Sequence, residues 1–149
     1  MSEVLGEKAA KRHLDGYNCS QAVLLTLYEH MNPQETNSVI PKIATGFGGG
    51  MGRCGSVCGA LTGAIMAVGL KYGSNEIDPQ KKADTYQKTQ TLFKLFEQQH
   101  GSVMCHDLIG CDLSTPEGLA KAKQEDVFET VCSKLIKLVV QDFFGLEKP

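Results

Sequence analysis

Six cysteines, at positions 19, 54, 58, 105, 111 and 132, are the residues of this 149-residue chain best suited to chemistry. A thiolate can serve as a nucleophile, a metal ligand or half of a disulfide, and its surroundings decide which. Cys19 is expected as the first residue of a helix, where unpaired N–H groups and the helix dipole favour thiolate. Cys54 and Cys58 stand four apart, each followed by glycine (Gly55, Gly59), which leaves backbone amides open to a ligand or an approaching disulfide. Their C-x-x-x-C spacing is neither the thioredoxin C-x-x-C nor a zinc-knuckle pair. Cys105 and Cys111, in C-H-D-L-I-G-C, are expected in a loop, with His106 either assisting a thiolate or simply exposed. Cys132 falls at core spacing with Val131 and Leu135, so packing is its simplest role. Four to six thiols converging in a small core would build a dithiol/disulfide relay or ligate an iron–sulfur cluster.

Helices must position these residues, because helical signals are abundant and strand signals scarce. A first amphipathic helix is expected over 3–14, stopped at Gly16. Asn18 and Gln21 form a capping-box pattern opening a second helix from Cys19 to about His30. Residues 33–43 read as a short helix or turn leading into a glycine-rich loop. A small-residue helix follows over about 56–71, with Gly55, Gly59 and Gly63 on one face. Asp78-Pro79 and Thr115-Pro116 are cap-and-proline starts. The first of these opens a helix to His100 that buries Leu92, Phe93, Leu95 and Phe96. The last helix is expected over about 126–144, with its apolar face on Val127, Phe128, Val131, Leu135, Leu138 and Val139. The expected fold is all-α, a single compact bundle of five or six helices over residues 1–149, with the glycine-rich loop leading into a small-residue central helix.

Composition narrows the function. Apolar residues make up 42% and charged residues 21%, which suits a compact chain better than a solvated one. A net charge of −2 offers no electrostatic case for nucleic acid or an anionic membrane. The longest near-uncharged stretch, 55–70, is short of the ~18–20 residues that span a bilayer. The charged N-terminus has no apolar signal core, so a reducing cytosol is the expected compartment, where clustered cysteines serve redox or metal chemistry. Gly50 to Gly55 matches G-x-G-x-x-G, but no strand precedes it and no βαβ unit surrounds it, so no dinucleotide site is expected. The loop could still hold an anion through its amides, with Arg53 assisting. His13, His30, His100 and His106 share no metal-ligand spacing.

In order along the chain, Cys19-Ser20-Gln21, Gly48-Gly49-Gly50-Met51-Gly52, Cys58-Gly59-Ala60-Leu61-Thr62-Gly63, Cys105, Leu108-Ile109-Gly110, Asp112-Leu113 and Cys132 resemble one family. It is the redox-active family named for its pattern C…GCAxxG…C…C, and the likeness spans most of the chain. The resemblance places the family cysteines on Cys19, Cys58, Cys105 and Cys132, with Cys54 and Cys111 as additions that could pair or supply extra ligands. The family also resembles part of the split-Soret cytochromes, which carry an iron–sulfur cluster besides haem; with no haem-attachment sequence here, only the cluster could carry over.

Two functions are therefore expected to compete. In the first, a thiol–disulfide redox protein cycles Cys19, Cys58, Cys105 and Cys132, with Cys58 and then Cys19 as activated thiolates. In the second, an electron-transfer module holds an iron–sulfur cluster, or less readily zinc, on thiols drawn from all six cysteines. The expected partner is a redox donor or acceptor, and nothing argues against a homodimer.

Overall fold

A computed structural model describes residues 1–147, and in it the chain is all-α. Among the described residues six helices have nine residues or more: α1 (Ser2–Leu14), α2 (Cys19–Met31), α5 (Gly59–Tyr72), α6 (Pro79–His100), α8 (Pro116–Gln124) and α9 (Ser133–Gly145). Two one-turn helices, α3 (Val39–Ile43) and α7 (Cys105–Ile109), bring the total above the five or six expected, while the short segment α4 (Gly48–Met51) departs from helical geometry at Gly49 and Gly50.

The caps lie where their residue types put them. Asn18 Oδ1 accepts from the Gln21 amide at 2.9 Å while the Asn18 amide donates to Gln21 Oε1 at 3.1 Å, a complete capping box. Asp78 and Thr115 accept from the amides of Lys81 and Gly118, both at 3.0 Å, each followed by proline in the first turn.

The core gathers on α5, whose Ala60, Leu61, Ala64, Ala67 and Val68 are all buried. On one side α2 packs against it; α6 and α9 pack on others, and α1 lies across α9 and α2. The α2–α5 crossing is tight. A Cβ on Gly63 would lie 2.5 Å from the carbonyl oxygen of Ser20 and 3.1 Å from its Cα, so only glycine fits. One residue away the buried hydroxyls of Ser20 and Thr62 meet at 3.3 Å.

Three elements depart from expectation. The central helix starts at Gly59, later than expected, because residues 56–58 are engaged elsewhere: Val57 bridges Met104, the Cys58 amide donates to Val103 O at 2.8 Å, and the Cys105 amide donates to Ser56 O at 2.7 Å. Gly55 therefore lies off the helix at φ +73, and the three-glycine face reduces to Gly59 and Gly63. The expected loop around Cys105 is instead the one-turn helix α7, closed by left-handed Gly110, and it buries both Cys105 and Cys111. The last helix is interrupted. Asp126 stands at φ +58, residues Phe128–Cys132 form a π-turn, and α9 begins only at Ser133. The extra residue per turn shifts the buried face to Leu135, Ile136, Val139, Val140 and Phe143, leaving Leu138 half-buried.

The glycine crowding has a local cause. Five consecutive residues, 49–53, have φ between 60 and 69, a turn of left-handed helix. L-residues pay roughly 1–2 kcal/mol each for that conformation. Glycine at 49, 50 and 52 avoids the cost; Met51 and Arg53 bear it.

Candidate functional site

Four elements deliver one cysteine each to a single cavity of about 500 Å³. Cys19 opens α2, Cys58 caps α5, Cys105 opens α7 and Cys132 ends the π-turn, and all four line the wall. The backbone pairing of 56–58 with 103–105, Cys58 on Val103 and Cys105 on Ser56, ties the segments that carry these two cysteines. Gly59 is what admits Cys19. A Cβ there would overlap the Cys19 sulfur, so the missing side chain is the space that Sγ occupies. The glycine turn backs the same thiol: the amides of Gly49, Ser20, Gly59 and Cys19 itself lie within reach of its sulfur.

Helix N-termini were expected to activate Cys58 and Cys19, but burial outweighs them. Cys58 is pushed up to about 12, first by loss of water and then by neighbouring Cys19, although the amides of Ala60 and Leu61 pull the other way. Cys105 is raised to about 11 by burial, with Cys19 and Cys111 adding to it. Cys19 is raised by burial against its four amides, and Cys132 by burial and then by the other three cavity thiols. Cys58, Cys105 and Cys132 thus each sense other thiols of the set, whereas Cys19 is raised by burial alone. As free groups all four are neutral at physiological pH.

Cys132, for which packing was the simplest role, joins the site because the π-turn places it on the cavity wall. The two additional cysteines stay out of the wall. Cys54 is exposed on the glycine loop, while Cys111 is buried behind Cys105 in a small cluster with Ile109, Leu113, Ala122 and Val127. His106 is exposed beside Asp107 and does not line the cavity.

Two lining residues had no signal in the sequence. His13 reaches the wall because the chain folds back at Gly16, and its ring meets Phe128 edge-on at 6.3 Å. Burial holds His13 below the usual imidazole range, and its Nδ1 is buried without a hydrogen-bond partner. Phe128 arrives through the π-turn.

Reactivity should divide the thiols. At pH 8 about one Cys105 thiol in a thousand would be ionised, given its raised value. In iodoacetamide labelling of the reduced protein followed by peptide mass mapping, Cys54 should react first and the cavity cysteines far more slowly. Equal labelling of Cys54 and Cys58 would show that the cavity is open to water.

The chain is thus a small all-α fold that gathers four thiols around one cavity. Residues 17–143 match the family described as "Putative redox-active protein (C_GCAxxG_C_C)", and the chain belongs to that family. It is 30% identical over 114 residues to an uncharacterized protein of Archaeoglobus fulgidus, covering 68% of this chain and 74% of that protein. No solved structure matches it. Among the described residues no helix is long and apolar enough to cross a membrane.

Proposed function

We propose that Cys19, Cys58, Cys105 and Cys132 form the protein's redox centre, and that its working state is an electron-transfer module with an iron–sulfur cluster on these four thiolates. The observation that carries this is a set of four thiols on one cavity, Cys58 and Cys105 buried and Cys19 and Cys132 half-buried, each raised by loss of water and three of them also by one another. Such thiols are poor nucleophiles, and only a cationic centre makes four buried thiolates favourable together. Four cysteines are the common donor set for these clusters, and amides near their sulfurs are a lever on potential. The amides at Cys19 and Cys58 suit that role. Zinc fits less well. Among the described residues no three His, Cys, Asp or Glu side chains converge on one ion position, as tetrahedral zinc with its ~2.3 Å sulfur bonds requires. A bound cluster would supply one-electron storage; the protein's part is to hold it dry and oriented.

The test is anaerobic reconstitution with ferrous iron and sulfide. The wild-type chain should turn brown and carry iron and sulfide, with visible absorption bleached by dithionite. Serine at 19, 58, 105 or 132 should each abolish or visibly alter that spectrum, whereas Cys54→Ser should leave it unchanged. A colourless, iron-free product from the wild-type chain would sink the cluster reading.

The close setting of Cys19 against Gly59, beside Cys58, favours a second reading, a dithiol–disulfide pair. Forming that bond releases two protons and passes two electrons to an external acceptor. Mild oxidation would then lower the free-thiol count by two, and Cys19→Ser or Cys58→Ser would prevent the drop.

A further inference from the structure

The cavity wall is asymmetric in charge. Four thiols and Arg53 line it, and no Asp or Glu among the described residues does. Arg53 carries a permanent charge, while burial holds His13, the other basic group in the wall, below the usual imidazole range.

The two arginines of the chain have different fates. Arg12 is satisfied, donating to Thr26 Oγ1 at 3.0 Å and to Glu29 Oε2 at 2.6 Å. Arg53 has no ion-pair partner among the described residues. Its backbone is held in the left-handed region at φ 69, with its amide on Gly48 O at 3.0 Å. Its stem folds over Gly49, where an added Cβ would stand 2.8 Å from Arg53 Cγ.

An exposed, unpaired arginine at the edge of a cavity that no carboxylate lines fits an anion from outside. The rest of the wall narrows the class. Leu108, Leu113, Phe128 and Leu135 give it an apolar surface, and about 500 Å³ is within the ~300–1,000 Å³ of small-molecule sites. A phosphate site would add loop amides, as the sequence allowed, but those of residues 53–56 are consumed inside the glycine turn by the carbonyls of Gly48 to Met51. The fork of one arginine instead matches a carboxylate through two parallel hydrogen bonds.

We infer that the cavity binds a short-chain organic carboxylate, its head group on Arg53 and its apolar body along Leu113 and Phe128 beside the thiols. Its role as a redox substrate rests on the four-thiol centre proposed above; its binding does not.

Calorimetric titration of the reduced full-length protein, kept anaerobic, tests this with three probes: butyrate, butanol and inorganic sulfate. The comparison variant is Arg53→Asn, since asparagine tolerates the left-handed backbone while removing the charge. Butyrate should bind saturably, and both its neutral analogue butanol and the Arg53→Asn variant should show at least about tenfold weaker binding, the usual loss with a charged hydrogen-bond pair. A folded Arg53→Asn variant with wild-type affinity would overturn the site, as would butanol equal to butyrate or no saturable binding of butyrate. Sulfate binding more tightly than butyrate would overturn the organic class and leave an inorganic oxyanion. Iron and free-thiol content read on the same samples keeps the readings apart. An intact centre without butyrate binding overturns this site alone; Arg53-dependent binding without a redox centre upholds it and removes the redox reading.

Discussion

Leucine at position 63 should destabilise the protein by about 1–3 kcal/mol, although leucine is the better helix former. Interior glycine costs roughly 0.8–1.0 kcal/mol relative to alanine in a helix. The gain from removing it is overridden because the side chain would enter the backbone of α2, with Ser20 O 2.5 Å from the first added carbon. A backbone carbonyl cannot swing aside as a side-chain tip can, so α2 must move away from α5. That movement carries Cys19, one residue before Ser20, away from Cys58. Thermal melting should show a loss of several degrees, at roughly 2–4 °C per kcal/mol for a chain of this size. Gly59→Ala makes the companion test, because its methyl meets the sulfur of Cys19 directly. It should damage iron incorporation or Cys19–Cys58 coupling more than its effect on melting would suggest. An unchanged melting temperature in Gly63→Leu, with unchanged thiol chemistry, would mean that the α2–α5 crossing is not the support of the site.

The second large effect is an alkaline loss of stability in the metal-free protein. A thiol ionises near 8.5 when unfolded, whereas Cys105 does so at about 11 and Cys58 at about 12 in the fold. Between those limits the folded state keeps protons that the unfolded state has released. Stability is therefore fully present below about pH 8.5 and falls as pH rises toward 12, by about 1.4 kcal/mol per pH unit for each such thiol. Denaturant midpoints measured from pH 7 to 10.5 should decline, and Cys58→Ala should flatten the decline. With a metal centre on the thiolates the sign reverses at the low end: ligands must be deprotonated, so acid should release the metal and chelation should restore the alkaline sensitivity. A flat profile for the metal-free chain would mean that the cavity thiols are solvated.

Much of this was legible locally. The starts at Asn18, Asp78 and Thr115 depend on side chains bonding amides three residues away, an interaction that short sequence windows contain. The family cysteines were legible because their order and the residues around Cys58 form a recognisable pattern. Other features needed contacts between distant segments. Where α5 begins depends on residues 56–58 pairing with 103–105, nearly fifty positions away, so a helical window could not exclude Gly55 from the helix. The π-turn before α9 defeated a 3.6-residue periodicity, and it is what turns Cys132 from a packing residue into part of the cavity wall.

Residue type and spacing alone determined an all-α chain and its capped helices, and the family pattern singled out four of its six thiols. The tertiary structure decided their chemical state. A helix N-terminus acts within one turn and was visible from Cys19 and Cys58, but it predicted activated thiolates. Burial is set by every element that closes over the cavity, and loss of water costs a buried charge more than a few amides return. The same closure placed His13, from another helix, and Arg53, on a left-handed turn, in one wall with the thiols. That arrangement exists only once α1, α2, α5, α7 and the glycine turn have packed together, because no pair of them is held in register by sequence proximity alone.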